Sequence, residues 1–357
     1  MTARPESERV HAWEPDPEVP AGALPLFGQF MVKFRRRAAG ETVIAALITL
    51  DGVAQFFAGR DLVMPILLVA IFGAYLGPSV YNLAVSLWMK PLLEARFDLI
   101  ECAPDAAFAA GSKIGVRLSD GRWLRAKLPK GMRLQLAGRR RLWLLRLGDR
   151  AVVTVPGVLL VRSARIQDEP ISGAQPLPVA SVEPTSPRLD PVLTAHRRDT
   201  ARGWTGFVVA FLALFAWVSW FSVDFARATP WAVIPVAIVL LLSGLTTLMM
   251  VGSIILMLRP VPHDTWTELR VVLDGPIQFN GRGMARFRGR ATLPDGRPIT
   301  FRGALVPVSV AANIAATGRL WTAGLPRPRK SAPVGVPGHA VFGAVRFGSP
   351  HRPHRTG

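Results

Sequence analysis

Asp51 is the residue in this sequence placed where it could do chemistry. It sits in an otherwise apolar stretch, Thr42 to Ala58, with Gln55 one helical turn further on. An ionisable group inside a membrane segment costs about 3 kcal/mol or more, so it marks an ion path, a proton path or a buried pair. The competing reading is a short, weakly inserted helix that leaves Asp51 near the outer surface beside Arg60. A second set of useful side chains is basic. In ARFRGRATL, Arg286, Arg288 and Arg290 occupy alternate positions, so one face of a strand carries all three. Near an anionic leaflet each such charge gains about 1 kcal/mol; away from it the same residues form a solvated strand face. Gly73 and Gly77 make a GxxxG pair that admits close helix packing, within the chain or between copies.

Little else points to catalysis. The sequence has no P-loop, GxGxxG, HExxH or GxSxG motif. The 6 histidines are scattered, and no Cys and His cluster has zinc spacing. The single cysteine, Cys102, excludes an intramolecular disulfide and fits a reducing compartment. No catalytic residue, cofactor or metal is expected. The formal net charge of +19 comes almost wholly from arginine. Positive-inside topology is the first reading of that charge, anionic lipid the second and nucleic acid the last. Nucleic-acid binding wants aromatic platforms between the charges, and Phe287 alone is thin support.

The elements that would position these residues follow from hydropathy. The segment Trp231 to Leu258 has no charge and, at about 1.5 Å per residue, is long enough to cross a bilayer. It pairs with Trp204 to Val223 as a hairpin (204–258). Thr42 to Ala58 and Leu62 to Met89 form another (42–89), joined only by Gly59, Arg60 and Asp61. Residues 1–30 are polar and rich in Pro and Glu, and are expected to be disordered. Residues 90–166 and 259–347 alternate short apolar runs with turns such as Asp120-Gly121 and Gly148-Asp149, as small barrels or sandwiches do. Val308 to Ala316 reads as a short helix within the second. A Pro- and Ser-rich linker (167–200) separates the halves, and 348–357 reads as a flexible tail.

The halves repeat each other. Asp120-Gly121-Arg122 answers Asp295-Gly296-Arg297. Leu142-Trp143 answers Leu320-Trp321, preceded by Gly138 and Gly318. Val155-Pro156-Gly157 answers Val336-Pro337-Gly338. The expected fold class is therefore an α+β integral membrane protein with an internal duplication. Four transmembrane helices form two hairpins, each followed by a small all-β cytoplasmic domain. Basic residues cluster on one side of the helices, which places both termini in the cytoplasm and the chain in the plasma membrane as a multi-pass protein. A hairpin followed by a small β domain resembles, in layout alone, bacterial families that carry pleckstrin-homology-like domains beside two helices; no residue roles follow from it. The function expected is a non-enzymatic scaffold whose β domains contact the bilayer, anionic headgroups or a cytosolic protein. The alternative is a small transporter or channel component that uses Asp51, working as a homodimer.

Overall fold

The computed structural model describes residues 10–350 apart from 59–62, 104, 149, 179–185, 229–232, 260 and 262. Arg60, Asp61, Asp149 and the chain beyond residue 350 thus lie outside the described residues. The chain forms two compact units: one from Met1–Phe34, Trp88–Arg197 and Pro260–Gly357, the other from Arg35–Leu87 and Arg198–Arg259.

The first unit holds two antiparallel sheets. Strands β1 (Phe97–Glu101), β2 (Ala107–Ala110), β3 (Lys113–Arg117) and β4 (Trp123–Lys127) lead to helix α3 (Lys130–Arg139), then to β5 (Arg141–Leu147), β6 (Arg150–Thr154), β7 (Arg162–Gln167) and β8 (Gln175–Pro176). Strands β9 (Trp266–Leu273), β10 (Gln278–Phe279), β11 (Met284–Thr292) and β12 (Pro298–Pro307) lead to helix α6 (Val308–Thr317), then to β13 (Arg319–Ala323), β14 (Ser331–Gly335) and β15 (Phe342–Pro350). The hydrogen-bonded order is β1-β5-β6-β7-β4-β3-β2-β8 in one sheet and β9-β13-β14-β15-β12-β11-β10 in the other. From β1 to β7 the topologies coincide element for element; β8, paired to β2, has no counterpart in the second sheet, and β9 also pairs with β11, which closes that sheet into a barrel. Strand length decides this: β9 has 8 residues and β11 has 9, whereas β1 and β3 have 5 each. Gly289 permits the closure, because a Cβ there would meet the Val272 carbonyl and the Phe301 ring.

Local chemistry explains the repeats. In each Asp-Gly-Arg turn the glycine has positive φ, 84° at Gly121 and 81° at Gly296. The aspartate accepts the arginine backbone N–H and its guanidinium, which holds both carboxyls below the usual carboxylate range. Helices α3 and α6 each start after a proline, Pro129 or Pro307, which cannot extend a helix backwards but fits its first turn. Each ends on a left-handed residue, Arg140 or Gly318. The counterpart of Gly318 is therefore Arg140 rather than Gly138.

Buried side-chain amides join the sheets. Gln135 of α3 donates from Nε2 to the Pro156 carbonyl at 2.6 Å and accepts the Ala340 N–H at 2.9 Å. Asn313 of α6 donates to the Gly157 carbonyl at 2.7 Å and accepts the Trp13 N–H at 2.8 Å. Ser309 accepts the Leu159 N–H, and Asp190 accepts the Gly338 N–H. His339 is buried beside Gly157 with Nδ1 2.9 Å from the Pro337 carbonyl.

The second unit contains the greater part of four helices: α1 (Pro25–Phe57), α2 (Val63–Met89), α4 (Pro191–Ala228) and α5 (Val233–Leu258). Within it α1 meets α2 at Gly52, where a Cβ would lie 3.0 Å from Leu68 and 3.2 Å from the Pro65 carbonyl.

Several expectations are corrected. Among the described residues one helix, α1, is long and apolar enough to cross a membrane, by length and composition, and it lies near the N-terminus. Four transmembrane helices in two hairpins are not what the structure supports. The helices do not coincide with the apolar runs: α1 begins at Pro25 and α4 at Pro191. Their first turns are core rather than span, with Phe27, Phe30, Val192 and Leu193 buried in the β unit. Two β domains are present, the second closed into a barrel, but each also carries a helix and so is not all-β, and both fall in one compact unit. The N-terminal segment is ordered from residue 10, with Trp13 and Ala21 buried. The final strand runs to Pro350, past the expected start of the tail.

Asn313→Leu orphans the Trp13 N–H and the Gly157 carbonyl together; unfolding in urea should show a loss of about 2–4 kcal/mol. Thr317→Ala removes a bond to the Asn313 carbonyl one helical turn back and the acceptor of the Arg319 N–H at 3.2 Å, both only part-buried, and should cost about 1–2 kcal/mol. Burial, reinforced by the Arg139 charge, pushes the His339 imidazole down to about 3 from 6.5. The unfolded chain takes up that proton first, so the stability this group contributes is complete above pH 6.5 and lost as pH falls towards 3. The expected slope is about 1.4 kcal/mol per pH unit. Urea midpoints measured at neutral and mildly acid pH should lose that share of their pH dependence in His339→Gln.

Candidate functional site

Strand β11 is the most regular amphipathic strand in the chain. Ala285, Phe287, Gly289 and Ala291 are buried, while Arg286, Arg288, Arg290 and Thr292 are exposed. The inward face is anchored by aromatic contacts: Phe287 meets Phe301 at 6.2 Å between ring centroids, and Phe301 meets Phe347 at 6.4 Å. Every second residue of three neighbouring strands is thereby fixed outward.

Register then does what alternation within one strand does not. Arg288 lies directly opposite Arg302 of β12, and Arg302 directly opposite Arg346 of β15. Three guanidinium stems stand in one row across the sheet. Like charges directly opposite one another are destabilising, by up to about 1 kcal/mol per pair. No carboxylate lies within ion-pair distance of Arg286, Arg288, Arg302 or Arg346 among the described residues. Arg290 differs, because its Nε is 3.3 Å from Asp274 Oδ1.

Arg286, Arg288 and Arg302 line one cleft of about 550 Å³, floored by Phe287 and Gly303 and walled by Gly275 and Gln278. Its rim is partly apolar. A bulge sets Ala304 and Leu305 of β12 against Arg286, and Leu305 is 64% exposed. Another cleft, of about 480 Å³, has Arg297 and His263 in its wall, but Arg297 is already held by Asp295 at 2.6 Å.

The other candidate residues lie elsewhere and do not join this site. Asp51, on α1, is exposed and accepts the Gln55 side-chain amide at 2.7 Å. Gly73 and Gly77 on α2 face open space, with nothing within 4 Å of a built Cβ. Cys102 is buried, which pushes its thiol up to about 11 despite the nearby Arg140 charge; such a thiol is a poor nucleophile. Among the described residues no three His, Cys, Asp or Glu are grouped so as to hold a metal ion. Of the three arginines singled out in sequence, two line the cleft and Arg290 is diverted. Arg302 and Arg346 enter through pairing between distant strands. The alternation in PITFRGALVP marks Arg302 as outward-facing, but only register sets it against Arg288.

The unrelieved row predicts a stability effect. Arg302→Glu converts two repulsions into attractions and should raise unfolding stability by about 1 kcal/mol. Thermal unfolding of the natural chain should rise with added salt, and that rise should shrink in the variant. No family model, curated protein or solved structure matches the chain.

Proposed function

We propose that the protein is a non-enzymatic, membrane-associated scaffold that holds its β unit against anionic lipid through the arginine face of β11, β12 and β15. The observation that carries this is the register Arg288–Arg302–Arg346 without a carboxylate partner among the described residues. A protein that keeps like charges opposed at a cost gains that energy back from an external anion. Phosphate oxygens suit the guanidinium fork, which offers two parallel donors. The exposed Leu305 beside Arg286 adds an apolar contact of the kind that enters the headgroup boundary.

Membrane residence is supported by apolar surface. On α1, Val43, Ile44, Leu47 and Leu50 recur at helical spacing and are each more than half exposed. On α5, Ile234, Leu241 and Leu248 are exposed to a similar degree. Stripes of this size ask for lipid or protein cover rather than water. In this reading α1 is the span, and the anionic leaflet of the plasma membrane is the surface the arginines meet. The coupling role for Asp51 gains no support, since its carboxylate is engaged on its own helix.

The full chain, reconstituted into vesicles, tests the reading. A fluorophore on Leu305→Cys, in a Cys102→Ser background, should be quenched by bilayer-borne quencher when phosphatidylserine is present and released by salt. Replacing Arg286, Arg288 and Arg302 by Glu should shift the contact equilibrium about 100-fold or more, at about 1 kcal/mol per charge removed. Equal quenching in neutral vesicles would refute it.

A further inference from the structure

We infer that the cleft between the β10 turn and β11–β12 is a binding site for a phosphate monoester carried on a lipid headgroup. The inference rests on the lipid-contact reading above and narrows it from a charged surface to a pocket. Arg286, Arg288 and Arg302 line the same cleft of about 550 Å³. That volume lies within the range of small-ligand sites and suits a phosphorylated headgroup rather than a bare ion.

Three guanidinium groups around one space favour a dianion. A monoester presents three terminal oxygens and up to two charges, enough for paired contacts with more than one arginine. A diester, as in phosphatidylserine, presents two terminal oxygens and one charge on its phosphate, and the serine carboxylate beside it is offset by its own ammonium. It satisfies one fork and leaves the others repelling. The cleft is also built rigidly. Phe287 fills the space under Gly303, where a Cβ would lie 2.6 Å from the ring, and packs edge-on to Phe301. The stems of Arg286, Arg288 and Arg302 therefore start from fixed backbone, and the ordering left for the ligand to impose is that of the exposed guanidinium arms. In the wall, Gly275 belongs to the turn between β9 and β10, and Gln278 of β10, directly opposite Arg286, has its side chain exposed. It supplies a neutral donor and acceptor for headgroup hydroxyls.

The test uses the full chain in detergent with short-chain lipids of equal tail length. Phosphatidic acid is the monoester probe, phosphatidylserine the diester probe and glycerol 3-phosphate the tail-free monoester. Calorimetric titration should give at least about 10-fold tighter binding of phosphatidic acid than of phosphatidylserine, equivalent to about 1.4 kcal/mol. Arg288→Ala and Arg302→Ala should each remove that preference while the weaker diester binding persists. Arg270→Ala, an exposed arginine on β9 outside the cleft, should leave the preference intact. Equal affinities for the two lipids would overturn the pocket and leave the surface reading standing. Binding of neither lipid would overturn both. Glycerol 3-phosphate binding as tightly as phosphatidic acid would assign the pocket to a soluble phosphoester and overturn the lipid source.

Discussion

Two side-chain amides at equivalent places in two sheets hold the β unit together. Gln135 and Asn313 sit on the single helix of each half, and each reaches a backbone group in the other half. Both are buried in a setting where an unpaired amide costs about 1–3 kcal/mol. The bond is therefore more valuable as a constraint than as a stabiliser: any slip of one sheet against the other orphans several groups at once. Asp190 and Ser309 join the same seam through Gly338 and Leu159. The two halves are thus one cooperative structure, although each has a complete sheet of its own.

That constraint reaches the surface through the aromatic contacts. Asn313 fixes α6 between β12 and β13, and β12 carries Phe301 inward and Arg302 outward. Phe301 touches both Phe287 and Phe347, so three strands share one register. The arginine row is the outer consequence of that inner packing. Its electrostatic cost is small beside the burial of three phenylalanines, each of which is worth about 2–3 kcal/mol. The fold can therefore hold opposed charges in place without being endangered by them.

The chain's legibility follows how far apart its partners are. Turns were readable because their causes are local: the Asp120 and Asp295 carboxylates bind groups two residues on. The outward face of β11 was readable because alternation needs only one strand. Order in the N-terminal segment was not, because the Asn313 side chain that receives the Trp13 N–H is 300 residues away. Helix α3 is not legible in sequence because it is polar and carries Gly131, against which the His196 backbone packs closely. The starts of α1 and α4 were misplaced because hydropathy alone does not separate a turn buried by protein from one buried by lipid.

The candidate site shows the same division. Arg286 and Arg288 are visible in a nine-residue window, yet a charged strand face by itself is an ordinary solvated surface. What makes it a site is the direct apposition of Arg302 and Arg346, together with the neutralisation of Arg290 by Asp274. Both are properties of pairing, and both push in one direction. Among the described residues they leave the arginines nearest the cleft without an internal counter-charge, while Arg290 is balanced by Asp274. A surface evolved only for solubility gains from interspersed signs. Here the signs separate at the cleft: Arg286, Arg288 and Arg302 are in its lining, and the Asp274 carboxylate is committed to Arg290.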